Sequence, residues 1–160
     1  MDIFDYAMQM EKDGENYYRQ LVEKTDNKGI KTIFTMLADE EVKHYKTLVE
    51  MKTERPQMAE TTVLADAKNV FAQMKESGDE FDFSAKQIKL YEKAQDIEKK
   101  SEEFYREKAR EVQQQYQQEI FLNLAEEESK HYFLLENIID FVRRPETWLE
   151  NAEFYHLEEY

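Results

Sequence analysis

The sequence contains no cysteine. That absence excludes disulfides, thiolate zinc sites, iron–sulfur clusters and cysteine nucleophiles. Glycine occurs 3 times and proline 2 times in 160 residues. Strands and tight turns draw on both for backbone bends, so their scarcity favours long helices. Basic residues number 22 against 36 acidic ones, and the formal net charge is −14. Such a chain repels phosphate backbones and anionic membrane surfaces, so neither nucleic acid nor a membrane is expected as a partner. No run approaches the ~18 apolar residues of a membrane span. The start, Met1-Asp2-Ile3-Phe4-Asp5, lacks the basic and then apolar pattern of a secretory leader, and a cytoplasmic location is expected.

Hydrophobic residues still reach 41%, with 10 Tyr and 10 Phe, which argues against disorder and for a sizeable core. The length suits a single domain spanning 1–160. Helical periodicity predicts four long helices, at about 2–24, 29–53, 84–111 and 115–141. Phe4, Ala7, Met8, Tyr18, Leu21 and Val22 line the first; Ile33, Met36, Leu37, Tyr45 and Leu48 line the second. Asp26-Asn27-Lys28-Gly29 is a turn signal and Ser84 a plausible N-cap. Pro145 ends the fourth helix, because a residue before proline avoids the helical region. The stretch 54–83 holds Pro56, Gly78 and a short amphipathic piece around Val63 to Met74, and reads as a crossover along the bundle with its own short helix. The tail 145–160, with Trp148, Phe154 and Tyr155, reads as a short helix or arm packing on the bundle or on a partner subunit.

Sliding the chain along itself by 87 residues exposes a repeat. Ile33 to Leu48 (IFTMLADEEVKHYKTL) then lies on Ile120 to Leu135 (IFLNLAEEESKHYFLL), with ten of 16 positions identical. The same shift lays AMQMEKDGENYYR from Ala7 on AQDIEKKSEEFYR from Ala94. Glu11 therefore matches Glu98, Glu41 matches Glu128, and His44 matches His131. A duplicated helical hairpin is the simplest explanation, and it predicts an all-α four-helix bundle of two antiparallel hairpins.

Glu and His three residues apart share one helix face, so Glu41 with His44, and Glu128 with His131, each present oxygen and nitrogen to one point. With Glu11 and Glu98 they make four carboxylates and two imidazoles. Two divalent cations cancel the charge of four carboxylates, removing a burial penalty that would otherwise be prohibitive. Oxygen and imidazole without thiolate suit iron or manganese, and zinc binds such ligands too. Glu-x-x-His by itself is a weak signal, since about one residue in six is Glu. Glu153-Phe-Tyr-His156 also fits it, but has Asn123 where the upstream Glu should stand; His156 reads as an exposed or packing residue. A solvated face with paired charges is the plain alternative at Glu41/His44 and Glu128/His131, and it does not explain their recurrence at a fixed offset.

Weaker candidates surround the six. Glu15 and Glu102 lie one turn beyond Glu11 and Glu98, as extra ligands or as a solvated face. Tyr18 and Tyr105 lie two turns beyond, as hydrogen-bond donors to ligand carboxylates or as core aromatics. Glu40 and Glu127 point about 100° away on their helices, as surface residues or as partners to histidines of neighbouring turns.

Glu11, Glu41-Val-Lys-His44, Glu98 and Glu128-Ser-Lys-His131 resemble the ligand set of the ferritin-like di-iron superfamily. The short helices, the 87-residue duplication and the tyrosines are most similar to its rubrerythrin branch, over about Asp2 to Phe141. The resemblance implies a ferritin-like bundle, two iron ions and reduction of peroxide, H₂O₂ or O₂ being the small substrate. It also implies a separate electron donor such as a rubredoxin-like protein, since no cysteines are present for a rubredoxin domain. The aromatic tail beyond Pro145 suggests a dimer contact, so a homodimer is expected. Rubrerythrins usually carry a further glutamate where this chain has Ser101. A ferroxidase or iron-handling protein shares the same ligands, as does a metal-binding bundle without redox turnover.

Overall fold

A computed structural model describes residues 2–78, 81, 83–150 and 153–160, the last segment with side chains from 156 onward. Four long helices form the body: α1 (Ile3–Lys24), α2 (Lys28–Met51), α4 (Ala85–Glu111) and α5 (Gln115–Arg143), with the shorter α3 (Val63–Ser77) between the hairpins. Helix α6 (Pro145–Glu150) and a closing 3-10 helix (Glu153–Glu158) follow. Local chemistry sets the starts. The carboxylate of Asp2 accepts the Asp5 N–H at 2.8 Å, and Asn27 accepts the Ile30 N–H at 2.9 Å. Ser84 and Gln87 form a reciprocal capping box.

Helices α1 and α2 pack as one antiparallel hairpin and α4 and α5 as the other. The order of layers along each helix defines the topology. Helix α1 runs from Ala7 through Glu11 to Leu21; α2 returns from Ile30 through Glu41 to Leu48. The segment that holds α3 leads back before α4 runs from Tyr91 through Glu98 to Ala109, and α5 returns from Ile120 through Glu128 to Ile138. This is the all-α ferritin-like bundle.

The core divides in two. Leu21, Ile30, Phe34, Leu134, Phe141 and their neighbours fill one end; Ala7, Leu48, Ala109, Phe121 and Leu124 fill the other. Between these apolar plugs all four long helices carry buried polar residues. The bundle thus places a polar layer where water has no direct route.

Several details depart from the periodic reading. The fourth helix continues past residue 141 to Arg143, and Arg144, the residue before Pro145, leaves the helical region at φ −151°, ψ 67°. Helix α2 spans 28–51 rather than 29–53. Gly29 lies in its first turn, and a Cβ there would overlap the Met74 side chain of α3. Tyr45 is only half-buried, with the Lys12 ammonium 5.1 Å from its ring centre. The tail packs on its own bundle: Trp148 is 1% exposed, its ring 4.6 Å from Phe71 and 5.7 Å from Phe141. Side chains of Phe154 and Tyr155 lie outside the described residues, and His156 is exposed.

Candidate metal centre

The polar layer is built one helix turn at a time. Helix α1 contributes Glu11 and α4 contributes Glu98. Helices α2 and α5 each contribute a Glu and a His from one face, Glu41 with His44 and Glu128 with His131. All six are buried, none more than 3% exposed. One oxygen or nitrogen from each of Glu11, Glu41, His44 and Glu128 lies within 4.8 Å of the others, and the same holds for Glu41, Glu98, Glu128 and His131. Glu41 and Glu128 belong to both groups, so two cages share that pair.

Nδ1 of His44 stands 3.4 Å from Glu11 Oε2 and 2.9 Å from Glu128 Oε1. Nδ1 of His131 stands 3.4 Å from Glu41 Oε1 and 3.4 Å from Glu98 Oε1. The two imidazole planes lie within 9° of parallel, 5.7 Å apart. Glu11 Oε2, Glu41 Oε1, Glu98 Oε2, Glu128 Oε1 and both Nδ1 atoms are buried without a hydrogen-bond partner. Each such orphan ordinarily costs about 1–3 kcal/mol. Six of them converging, all oxygen or imidazole nitrogen, fit a pair of divalent cations.

The outward atoms of these side chains are held from across the bundle. The Tyr105 hydroxyl donates to Glu11 Oε1 at 2.5 Å, and the Tyr18 hydroxyl donates to Glu98 Oε1. Burial, and then the neighbouring carboxylates, push both phenol pKa values well above the usual 10.0, so both remain donors. Nε2 of His44 lies 2.8 Å from Glu127 Oε1. A carboxylate only accepts, so Nε2 carries the proton and Nδ1 faces the cage. Glu40 takes the equivalent place beside His131 Nε2, at 3.7 Å.

Electrostatics divide the carboxyls into two kinds. Burial, and then the Glu11 charge, raises Glu41 well above 4.5; burial, and then Glu98, does the same to Glu128. Burial opposes ionisation of Glu98 too, but His131 beside it prevails and holds it down at about 2. Glu11 is likewise lowered against its burial, by His44. Burial disfavours charge on His44 and His131, yet Glu11 and Glu98 raise both well above 6.5. The metal-free layer therefore balances two carboxylates against two imidazolium ions and keeps protons on the shared pair.

Glu15 and Glu102 do not join the cages. Glu15 turns to Arg19 at 3.3 Å and Glu102 to Arg106 at 2.8 Å, each one turn along its own helix. Glu40 and Glu127 are buried rather than on the surface, and face the histidine of the opposite hairpin rather than a turn of their own. Their recurrence at offset 87 was a usable signal; the cross-hairpin pairing was not visible without the packing. Gly14 is a further position that periodicity missed. A Cβ there would sit 3.1 Å from Glu41 Oε2, so the glycine makes room for the shared carboxylate. Offset 87 carries it onto Ser101, also small and buried, one turn beyond Glu98.

Fold and site together define a ferritin-like bundle with a buried carboxylate–histidine cluster that fits metal binding. The chain belongs to the rubrerythrin family, whose model matches residues 2–139. No curated protein and no solved structure matches it. Among the described residues, no helix is long and apolar enough to cross a membrane.

Proposed function

We propose that the chain is a di-iron peroxide reductase. Glu11 and His44 would hold one ion and Glu98 and His131 the second, with Glu41 and Glu128, members of both groups, available to either. The convergence of six orphaned buried ligand atoms carries this reading. A bound ferrous pair would supply the two electrons that, with two protons, take one H₂O₂ to two waters.

The chain's own residues do the rest. Tyr18 and Tyr105 fix the outer oxygens of Glu98 and Glu11, so the inner oxygens face the cages. Glu127 orients His44. The apolar plugs on both sides keep water out and strengthen every charge interaction between them. A pocket of about 250 Å³, walled by Glu127, Asn123, Met58 and Lys130, opens beside Glu127 at the outer edge of the layer and is large enough to admit a small molecule such as peroxide. A separate donor, such as a rubredoxin-like protein, is proposed to restore the electrons. A homodimer is the assembly proposed.

Stopped-flow mixing of the anaerobic ferrous protein with H₂O₂ and with O₂ tests the function. Faster oxidation by H₂O₂ is expected. Much faster oxidation by O₂ would overturn peroxide reduction in favour of a ferroxidase.

A further inference from the structure

The two halves of the metal layer are copies, but their outer partners are not equivalent. His44 Nε2 meets Glu127 at 2.8 Å, whereas His131 Nε2 stands 3.7 Å from Glu40 and has no hydrogen-bond partner. The cause lies in the crossover. The Thr61 hydroxyl donates to Glu40 Oε1, the same oxygen that faces His131. Thr61 Oγ1 also accepts the Val63 N–H at 3.2 Å, which anchors the hydroxyl at the start of α3 and leaves its proton for Glu40. The Lys43 ammonium lies 3.5 Å from the other oxygen, Glu40 Oε2. The crossover occurs only once in the chain, and offset 87 carries Thr61 onto Trp148, which is buried against Phe71 and Phe141. Among the described residues, Glu127 thus has no counterpart of Thr61.

A carboxylate on the far nitrogen of a ligand imidazole makes it more basic and fixes its ring, and loss of such a partner typically lowers metal affinity about 10- to 100-fold. We infer that Thr61 is a positioning residue that makes the two metal positions unequal: it draws Glu40 away from His131, so the Glu11/His44 position binds its ion more tightly than the Glu98/His131 position. This rests on the two-metal reading above and adds an order of filling to it.

The test is titration of the metal-free protein with Co²⁺ by calorimetry, comparing wild type with Thr61→Val, Thr61→Ser, Glu40→Gln and Glu127→Gln. Repulsion between adjacent cations separates two affinities in any such site, so the variants carry the test. Thr61→Val frees Glu40 for His131 and should raise the weaker affinity roughly tenfold. Thr61→Ser keeps the hydroxyl and should behave as wild type, which separates hydrogen bonding from disturbance of the crossover. Glu127→Gln should weaken the tighter affinity, while Glu40→Gln should change the weaker one far less. Two ions bound with an unchanged weaker affinity in Thr61→Val would overturn this inference and leave the metal centre standing. Failure of the wild type to bind two ions would overturn both.

Discussion

The Tyr105 hydroxyl on α4 reaches across the bundle to Glu11 on α1 at 2.5 Å, and Tyr18 on α1 answers with a bond to Glu98 on α4. Each hairpin thereby holds a carboxylate of the other. Tyr105→Phe removes the only donor among the described residues to Glu11 Oε1, and the metal-free protein should lose about 1–3 kcal/mol in urea unfolding. Tyr18→Phe should do the same through Glu98. Two ions should still bind, more weakly. Unchanged stability in both variants would contradict a holding role.

Gly14 should be sensitive for a reason unrelated to backbone freedom. Alanine there gains helix propensity, worth about 1 kcal/mol, but its methyl would sit 3.1 Å from Glu41 Oε2. Glu41 must then shift by a few tenths of an ångström. Gly14→Ala should fold and bind metal less tightly than wild type, as a Co²⁺ titration would show. Equal affinity would mean that the shared carboxylate has slack.

Much of this centre is legible in the chain itself. The repeat at offset 87 marks Glu11, Glu41, His44 and their partners because duplication copied the ligands together with the flanking apolar positions. The crossover helix and the capping role of Ser84 follow from composition and periodicity. The roles of Gly14 and Thr61 do not, because each depends on how close one particular neighbour lies in space. Nor does the pairing of Glu127 with His44, since helix geometry puts Glu127 100° from the ligand face and only the angle between α2 and α5 brings it back. The packing role of Gly29 is hidden for the same reason: the sequence places it at the start of the second helix, and only the fold shows that it admits Met74.

Metal binding should release protons. The metal-free layer holds raised protons on Glu41, Glu128, His44 and His131. Cations displace them, up to four per chain, one from each residue, so affinity should climb with pH. Calorimetry in buffers of different ionisation heat measures the release. The sign for the metal-free fold is opposite. Groups with raised folded pKa values contribute stability that is full below their ordinary values, 4.5 for the carboxyls and 6.5 for the imidazoles, and lost as pH rises through the folded ones. Glu98, lowered to about 2, acts the other way, and its contribution fades as pH falls from 4.5. The metal-free protein should therefore lose stability as pH rises above 4.5, and more steeply above 6.5, and the loaded protein should not.

Trp148 ties the tail and α3 to α5 through Phe71 and Phe141. Trp148→Ala should cost about 3–5 kcal/mol of unfolding free energy while leaving the number of bound ions at two. Loss of metal together with stability would mean that the plug also sets the ligand geometry.

The central claim is a two-ion centre in which Glu41 and Glu128 serve both positions. Metal content per chain, measured after loading the metal-free protein with Fe²⁺ under anaerobic conditions and removing excess, tests it directly. Wild type should retain two ions, and Glu41→Ala or Glu128→Ala should retain no more than one. Two ions retained by either variant would contradict the sharing of that carboxylate, and fewer than two in the wild type would contradict the centre itself.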